Sequence, residues 1–341
     1  MRIIDLRSDT LTKPTSLMWN KMASAEIGDD GYREDPTVRH LEELAADKLG
    51  FEAGLFVASG TMGNLVALLT HTQRGDEVFL EAESHIYYNE VGGVSVLANA
   101  QTCPIPGTKG KLTPELIKGY VRKPSINNPN PSLLCLENTS NRGGGSVTKP
   151  EEMRELVKCA RGFGLKIHID GARIFNAAVA CKVDVKELVQ GVDSVQFCLT
   201  KGLAAPMGSL LVGSQEFISR AAKWKKMLGG GFRQIGIMAA AGIVALETMI
   251  DRLEEDHVRA KKLAHGLSEL PYLSVCSDEI ETNIVIVEII SELITMKEFL
   301  AKLAENGIMA KDIGPTKVRF VTHKEINDDD INLVIERLSS K

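Results

Sequence analysis

Three short stretches put reactive side chains where apolar runs end. In K-I-H-I-D-G-A-R (166–173) an alternating apolar run stops at Asp170, and Gly171 lets the chain turn at once. In S-V-Q-F-C-L-T-K-G (194–202) a second run ends in Thr200, Lys201 and Gly202. A lysine directly after a buried run stands out, because lysine is rarely buried without a partner. The two sites lie 31 residues apart, about one strand-to-strand crossover, so Asp170 and Lys201 are able to face one ligand. The third stretch is V-A-S-G-T-M-G-N (57–64), a run followed by small residues and then a helical pattern. Backbone N–H groups at a helix start, joined by the Ser59 and Thr61 hydroxyls, make a cradle for a phosphate. It has no Walker A lysine framework and no G-x-G-x-x-G. Each stretch also has a plainer explanation. Asp170 fits a helix cap, Lys201 a solvated loop lysine, and Ser59 an ordinary N-cap. His85 suits either an aromatic ligand or the surface. Arg173, Arg233 and Arg319 are candidate clamps for carboxylate or phosphate, or else surface ion pairs of little consequence.

A lysine, an acid and a phosphate cradle at strand ends fit one cofactor well. Pyridoxal phosphate is held through an imine to lysine, a carboxylate at the pyridine nitrogen and a phosphate site. The carboxylate keeps that nitrogen protonated, so the ring accepts the electron pair released at a substrate's Cα. An aromatic side chain packed on the ring holds it flat.

These residues need a frame, and the chain supplies one. It has 341 residues, enough for about two domains, with 44% hydrophobic and 25% charged residues, the balance of a folded globular protein. A net charge of −5 with no basic block gives no reason to expect nucleic acid as a partner. No uncharged apolar stretch reaches the ~20 residues of a membrane helix. The N-terminus carries Asp5 and Asp9 where a signal peptide would be apolar. Six cysteines form no C-x-x-C pair, so we expect buried reduced thiols in a cytoplasmic protein, with neither disulfides nor a metal site.

Between residues 37 and 212 helical patterns alternate with short apolar runs. Helices are expected at 37–49, 63–72, 150–163 and 185–190. Strands are expected at 53–58, 77–81, 94–97, 132–137, 166–170, 194–199 and 208–212. This is an α/β pattern, a mostly parallel sheet covered on both faces, and such sheets bind ligands at the carboxyl ends of their strands. Beyond residue 212 come helical stretches at 217–228 and 234–270, then strands at 272–275, 283–287 and 317–321 with helices at 296–306 and 328–338. We expect a large cofactor-binding domain over 1–250 and a small C-terminal α+β domain over 251–341.

The motifs as a set resemble the threonine aldolases, in the β-eliminating lyase group of fold-type I pyridoxal-phosphate enzymes. The matching stretches run in order along nearly the whole chain: D-L-R-S-D-T-L-T-K-P-T (5–15), G-D-D-G-Y (28–32), E-D-P-T (34–37), S-G-T-M-G-N (59–64), H-T-Q-R-G-D-E-V (71–78), H-I-D-G-A-R-I-F-N (168–176), C-L-T-K-G-L-A-A-P-M-G-S (198–209), M-L-G-G-G-F-R-Q (227–234) and V-R-F-V-T-H (318–323). The resemblance implies a fold like that of aspartate aminotransferase and a set of roles. Lys201 would carry the cofactor, Asp170 would pair with its ring nitrogen and His85 would stack over the ring. Gly60 and Thr61 would hold the phosphate, with Arg233 reaching it from a neighbouring subunit. Ser8, Arg173 and Arg319 would bind the amino acid's carboxylate. It also implies a homotetramer built of dimers, and cleavage of a β-hydroxy-α-amino acid to glycine and an aldehyde. The chain departs from the family where histidine is common: Asn127 and Ser140 stand there instead. Two further outcomes fit the same cofactor frame, racemisation or β-elimination with Lys201 as base. A non-catalytic binding protein is the third, and the retained Lys201, Asp170 and arginines argue against it.

Overall fold

The computed structural model describes residues 2–339. After a two-residue strand β1 (Ile4–Asp5), a seven-stranded sheet is built from β2 (Ala53–Val57), β3 (Glu77–Glu81), β4 (Gln101–Ile105), β5 (Pro131–Glu137), β6 (Lys166–Asp170), β7 (Ser194–Cys198) and β8 (Ser209–Gly213). Its order is β2-β8-β7-β6-β5-β3-β4; β8 runs antiparallel to both neighbours and every other pair is parallel. Successive residues face opposite sides, as the pleat requires. In β5, Leu134 and Leu136 enter one hydrophobic cluster while Leu133 and Cys135 enter another. In β2, Phe56 packs with the first, and Leu55 and Val57 pack with the cluster under the helix Gln215–Met227. Both faces are buried, so the strands read as near-continuous apolar runs.

Strands β9 (Leu273–Ser274), β10 (Ile284–Ile289), β11 (Ile308–Met309), β12 (Lys311–Asp312) and β13 (Lys317–Val321) follow. Four of them form an antiparallel sheet in the order β12-β13-β10-β9, while β11 pairs in parallel with β1. A separate hydrophobic cluster lies here. It includes Phe299, Phe320 and Val334, and it also takes Ile4 and Leu6 from the start of the chain.

Three expectations need correction. Residues 94–97 are not a strand: Gly93–Val96 is one helical turn that seats Val94 in a core cluster. The strand is Gln101–Ile105, disguised by Pro104, which is tolerated because β4 is an edge strand. The stretch 234–270 is two helices, Gly236–Thr248 and Leu253–Ser268. The apolar pattern runs through the break because each half buries a face, Val244 in the large cluster and Leu263 in the small one. The six cysteines are free thiols as expected, but only Cys135 and Cys198 are buried and Cys276 is exposed.

Gly208 leads into β8 with φ +102, and a Cβ there would collide with the fully buried ring of Phe56. Replacing it with alanine adds backbone strain to overpacking, so Gly208→Ala should cost more than about 2 kcal/mol. Urea denaturation measures this; a midpoint equal to wild type would contradict the packing described.

Candidate active site

Strand register brings the chemistry together. Glu137 ends β5 beside Asp170 at the end of β6, and Asp170 lies beside Gln196 of β7. Lys201 follows three residues after β7. Above these carboxyl ends opens a cavity of about 600 Å³ whose walls include Ser8, His85, Arg173, Lys201 and Arg319. A slightly larger cleft of about 690 Å³ opens around Gly50, Lys166 and Asp193. Those residues lie at the amino ends of strands, the wrong end for a ligand in an open sheet.

The Lys201 carbonyl accepts from Thr12 Oγ1 at 2.8 Å, which ties its loop to the start of the chain. Its amine makes no hydrogen bond or ion pair with another described residue. Asp170 is buried and held at both oxygens: Oδ1 accepts from the Ala172 N–H at 3.1 Å and Oδ2 from Asn64 Nδ2 at 2.9 Å. Asn64 rides one turn into the helix Gly60–His71, so the helix start at Gly60 and Thr61 faces the same region. Ser59 caps it by accepting from the Met62 N–H, and a Cβ on Gly60 would sit 2.8 Å from Cys198 Sγ.

His85 opens a short helical turn whose backbone N–H donates to Glu137 Oε2 at 2.7 Å. Its Nδ1 pairs with Glu90 Oε1 at 2.8 Å. Burial opposes charge on the His85 ring, but the Glu90 bond and the Asp170 charge outweigh it and raise its pKa. His85, Glu90 and Asp170 bring their ligand atoms within 4.8 Å of one another, close enough to suggest a cation. The Asn64 amide donates to both Glu90 Oε1 and Asp170 Oδ2 from one nitrogen, so a hydrogen-bond donor already bridges the carboxylates.

Three arginines line the cavity; Arg142 pairs with Glu83 at 3.3 Å, and the other two differ. Arg173 is buried and gives two hydrogen bonds to Asp9, Nε to Oδ2 at 2.6 Å and Nη2 to Oδ1 at 2.7 Å. Burial alone would raise Asp9, but the Arg173 charge and bonds hold its carboxyl well below the usual range. Among the described residues Arg319 meets no carboxylate: Nη1 donates to Asn141 Oδ1 at 2.6 Å and Nη2 to the Arg7 carbonyl at 3.1 Å, and its buried Nε has no partner there. Burial, with Arg173 close by, brings the Arg319 pKa down to about 10. It is a cation awaiting an anion.

Not every expected residue meets this cavity. Arg233 pairs with Asp29 at 3.3 Å and lines a different hollow with Gly31 and Lys225. Asn127 sits on an exposed turn, and the buried Ser140 hydroxyl accepts from the Gly143 N–H; neither lines the cavity. Asp9, Asn64, Glu90, Glu137 and Asn141 escaped the reading of the sequence. Asp9 and Asn64 lie inside the quoted motifs D-L-R-S-D-T-L-T-K-P-T and S-G-T-M-G-N, but neither residue type carries a signal of its buried partner.

Buried Glu137 has its pKa pushed up to about 7, first by burial and then by the Asp170 charge. A carboxyl that binds its proton more tightly when folded stabilises the fold below its ordinary pKa of about 4.5, and this is lost as pH rises through 7. Glu137→Gln cannot ionise. Its stability relative to wild type should therefore improve by about 2–3 kcal/mol between pH 4.5 and pH 8, read from urea midpoints without cofactor. A difference independent of pH would sink this assignment.

A family model described as beta-eliminating lyase matches residues 5–290. Low-specificity L-threonine aldolase 1 of Arabidopsis thaliana is 42% identical over 340 residues, covering 98% of this chain and 95% of that protein. The low specificity L-threonine aldolase of Escherichia coli K12 is 41% identical over 330 residues, 96% of each chain. Among solved structures, a Leishmania major threonine aldolase superposes with a TM-score of 0.85 at 16% identity, over 98% of both chains. A Sphingomonas wittichii serine palmitoyltransferase superposes with a TM-score of 0.79 at 16% identity, over 99% of this chain and 86% of that one.

Proposed function

This chain belongs to the beta-eliminating lyase family, among the threonine aldolases, and from that premise we propose a pyridoxal-phosphate-dependent lyase. Its substrate is a β-hydroxy-α-amino acid such as L-threonine or L-allo-threonine, cleaved to glycine and an aldehyde. The observation that carries this reading is the shared cavity, in which an unpaired lysine amine and an arginine without a counter-ion stand above an oriented carboxylate. The donor set fits the cofactor for the same reason: the Lys201 amine has no protein partner to lose, and the Arg319 Nε is buried and unsatisfied.

Lys201 would hold the cofactor's aldehyde carbon, Asp170 its ring nitrogen and His85 its face. Gly60 and Thr61 would take the phosphate at a helix start, joined by Arg233 of a neighbouring copy. When bound, the pyridine ring draws electrons from the bonds at the amino acid's Cα. The chain's own residues do the rest. Arg319, with Ser8 and Arg173, binds the α-carboxylate and fixes which bond at Cα stands across the ring. Glu90 accepts the His85 Nδ1 proton and leaves Nε2, which has no partner among the described residues, to take the β-hydroxyl proton as the Cα–Cβ bond breaks. The Lys201 amine supplies the proton that completes glycine.

The same reading takes in a cytoplasmic homotetramer, a dimer of dimers, supported by the family resemblance and by Arg233 lying outside the Lys201 cavity of its own copy. No helix among the described residues is long and apolar enough to cross a membrane. Two separate hydrophobic clusters support a division near residue 250, with β1 crossing onto the smaller part.

Borohydride treatment of the holoprotein followed by peptide mapping should find the pyridoxyl group on Lys201; finding it on another lysine overturns the assignment. Release of glycine and acetaldehyde from threonine tests the reaction, and pyruvate or inverted amino acid in their place would move it to elimination or racemisation.

Arg319→Ala removes the one cavity arginine lacking a carboxylate. Amino-acid binding should weaken by about 1.5–3 kcal/mol, the worth of a charged hydrogen bond, while cofactor absorbance is retained. Unchanged affinity in a spectral titration would show that the smaller domain does not contribute to the site.

A further inference from the structure

Behind Asp170 the side chains continue in a single hydrogen-bonded file through the sheet. Asn64 Nδ2 gives to Asp170 Oδ2 and to Glu90 Oε1, and Asn64 Oδ1 meets His168 Nε2 at 3.1 Å. His168 Nδ1 meets Ser194 Oγ at 2.8 Å, and Ser194 Oγ meets His71 Nε2 at 2.8 Å. Asn64, His168 and Ser194 are buried, and His71 ends the file at the cleft on the amino side of the strands, stacked on Phe217 at 4.4 Å.

The donors in this file have one consistent order. Two carboxylate oxygens accept from Asn64, so its nitrogen faces them and its oxygen faces His168. That oxygen only accepts, so His168 carries its proton on Nε2. The bare Nδ1 then takes the Ser194 hydroxyl proton, and the Ser194 oxygen is left to accept from His71 Nε2–H. With His168 neutral, reversing any link turns the Asn64 oxygen toward the carboxylates or leaves a buried group unpaired, which is costly. The order requires the His168 imidazole to be neutral, while His71 can donate from Nε2 in either state. Burial, with His71 beside it, brings His168 down to about 3, and burial brings His71 down to about 4. Among the charges facing His71, Asp193 favours its protonation while Lys166, Arg220 and Arg161 oppose it.

We infer that His168, Ser194 and His71 are positioning residues: they lock the Asn64 amide in the orientation that aims its N–H at Asp170 and at the Glu90 that holds His85. None of the three lines the cavity. The hydrogen-bond order stands by itself; only its value to catalysis rests on the function proposed above for Asp170 and His85.

Nitrogen-15 NMR of the full-length protein with labelled histidine, with and without cofactor, reads the order directly. His168 should show a proton on Nε2 and a bare Nδ1, unchanged from pH 5.5 to 8, with signals assigned by their loss in His168→Gln or their shift in Ser194→Ala. A proton on Nδ1, or a charged ring in that range, overturns the inference whether or not the protein is an aldolase. Ser194→Ala should lower kcat roughly two- to tenfold, the equivalent of one neutral hydrogen bond, with KM for threonine little changed. Ser194→Thr keeps the hydroxyl and should restore kcat. Full kcat in Ser194→Ala would overturn the inference even with threonine cleavage established.

Discussion

Two charges that have left water hold this site together. Asp9 and Arg173 are both buried and share two short hydrogen bonds. Removing either partner from such a pair leaves a bare charge inside, typically at 3–5 kcal/mol, so the pair fixes whatever it touches. It touches three separate parts of the chain. Arg173 follows the end of β6, Asp9 sits beside Ser8 in the first turn of the chain, and Asn283 next to β10 donates to Asp9 Oδ2 at 3.2 Å. Three residues on, Thr12 reaches the Lys201 carbonyl. The N-terminal segment is thus a latch across the cavity, and Arg319 comes to its place partly by donating to the Arg7 carbonyl of that same segment.

The arrangement also explains why one arginine is spent and the other spare. Arg173 has its carboxylate in Asp9, and the pair fixes the geometry around it. Arg319 has only neutral acceptors, which hold the guanidinium in place without cancelling its charge. Among the described residues Arg319 is thus the cavity arginine that keeps its charge uncompensated.

Much of this was legible in the sequence, and the reason lies in strand ends. Asp170 and Lys201 stand where apolar runs stop, and in a parallel sheet such positions face one crevice, so type and spacing were enough. Asn64, Glu90 and Asp9 gave no comparable signal, because their roles come from partners 106, 26 and 164 residues away. His168 and Ser194 read as interruptions of apolar runs, and only their pairing across β6 and β7 shows what they do. Asn127 and Ser140 show the opposite limit: matched positions in a family pattern say nothing of which way a side chain points. Among the elements, the strand at 94–97 was misplaced because Val94 and Val96 in a single helical turn mimic an alternating run, while proline masked the true strand nearby.

The parallel pairing of β1 with β11 has a consequence for how the molecule comes to be made. Ile4 lies beside Ile308, and the Leu6 carbonyl accepts from the Val321 N–H at 2.7 Å. These contacts join residues more than 300 positions apart in a chain that leaves the ribosome from its N-terminus. The seven-stranded sheet ends at residue 213 and needs none of them. During synthesis Ile4 and Leu6 therefore have nowhere to dock until β11 and β13 have emerged, although Asp9 can already meet Arg173, and closing so long a loop is slow. A nascent chain stopped before β13 carries Lys201, Asp170 and their sheet, yet lacks Arg319 and the Val321 N–H that holds Leu6. Assembly order keeps Lys201 and Asp170 apart from Arg319 until β13 has been made.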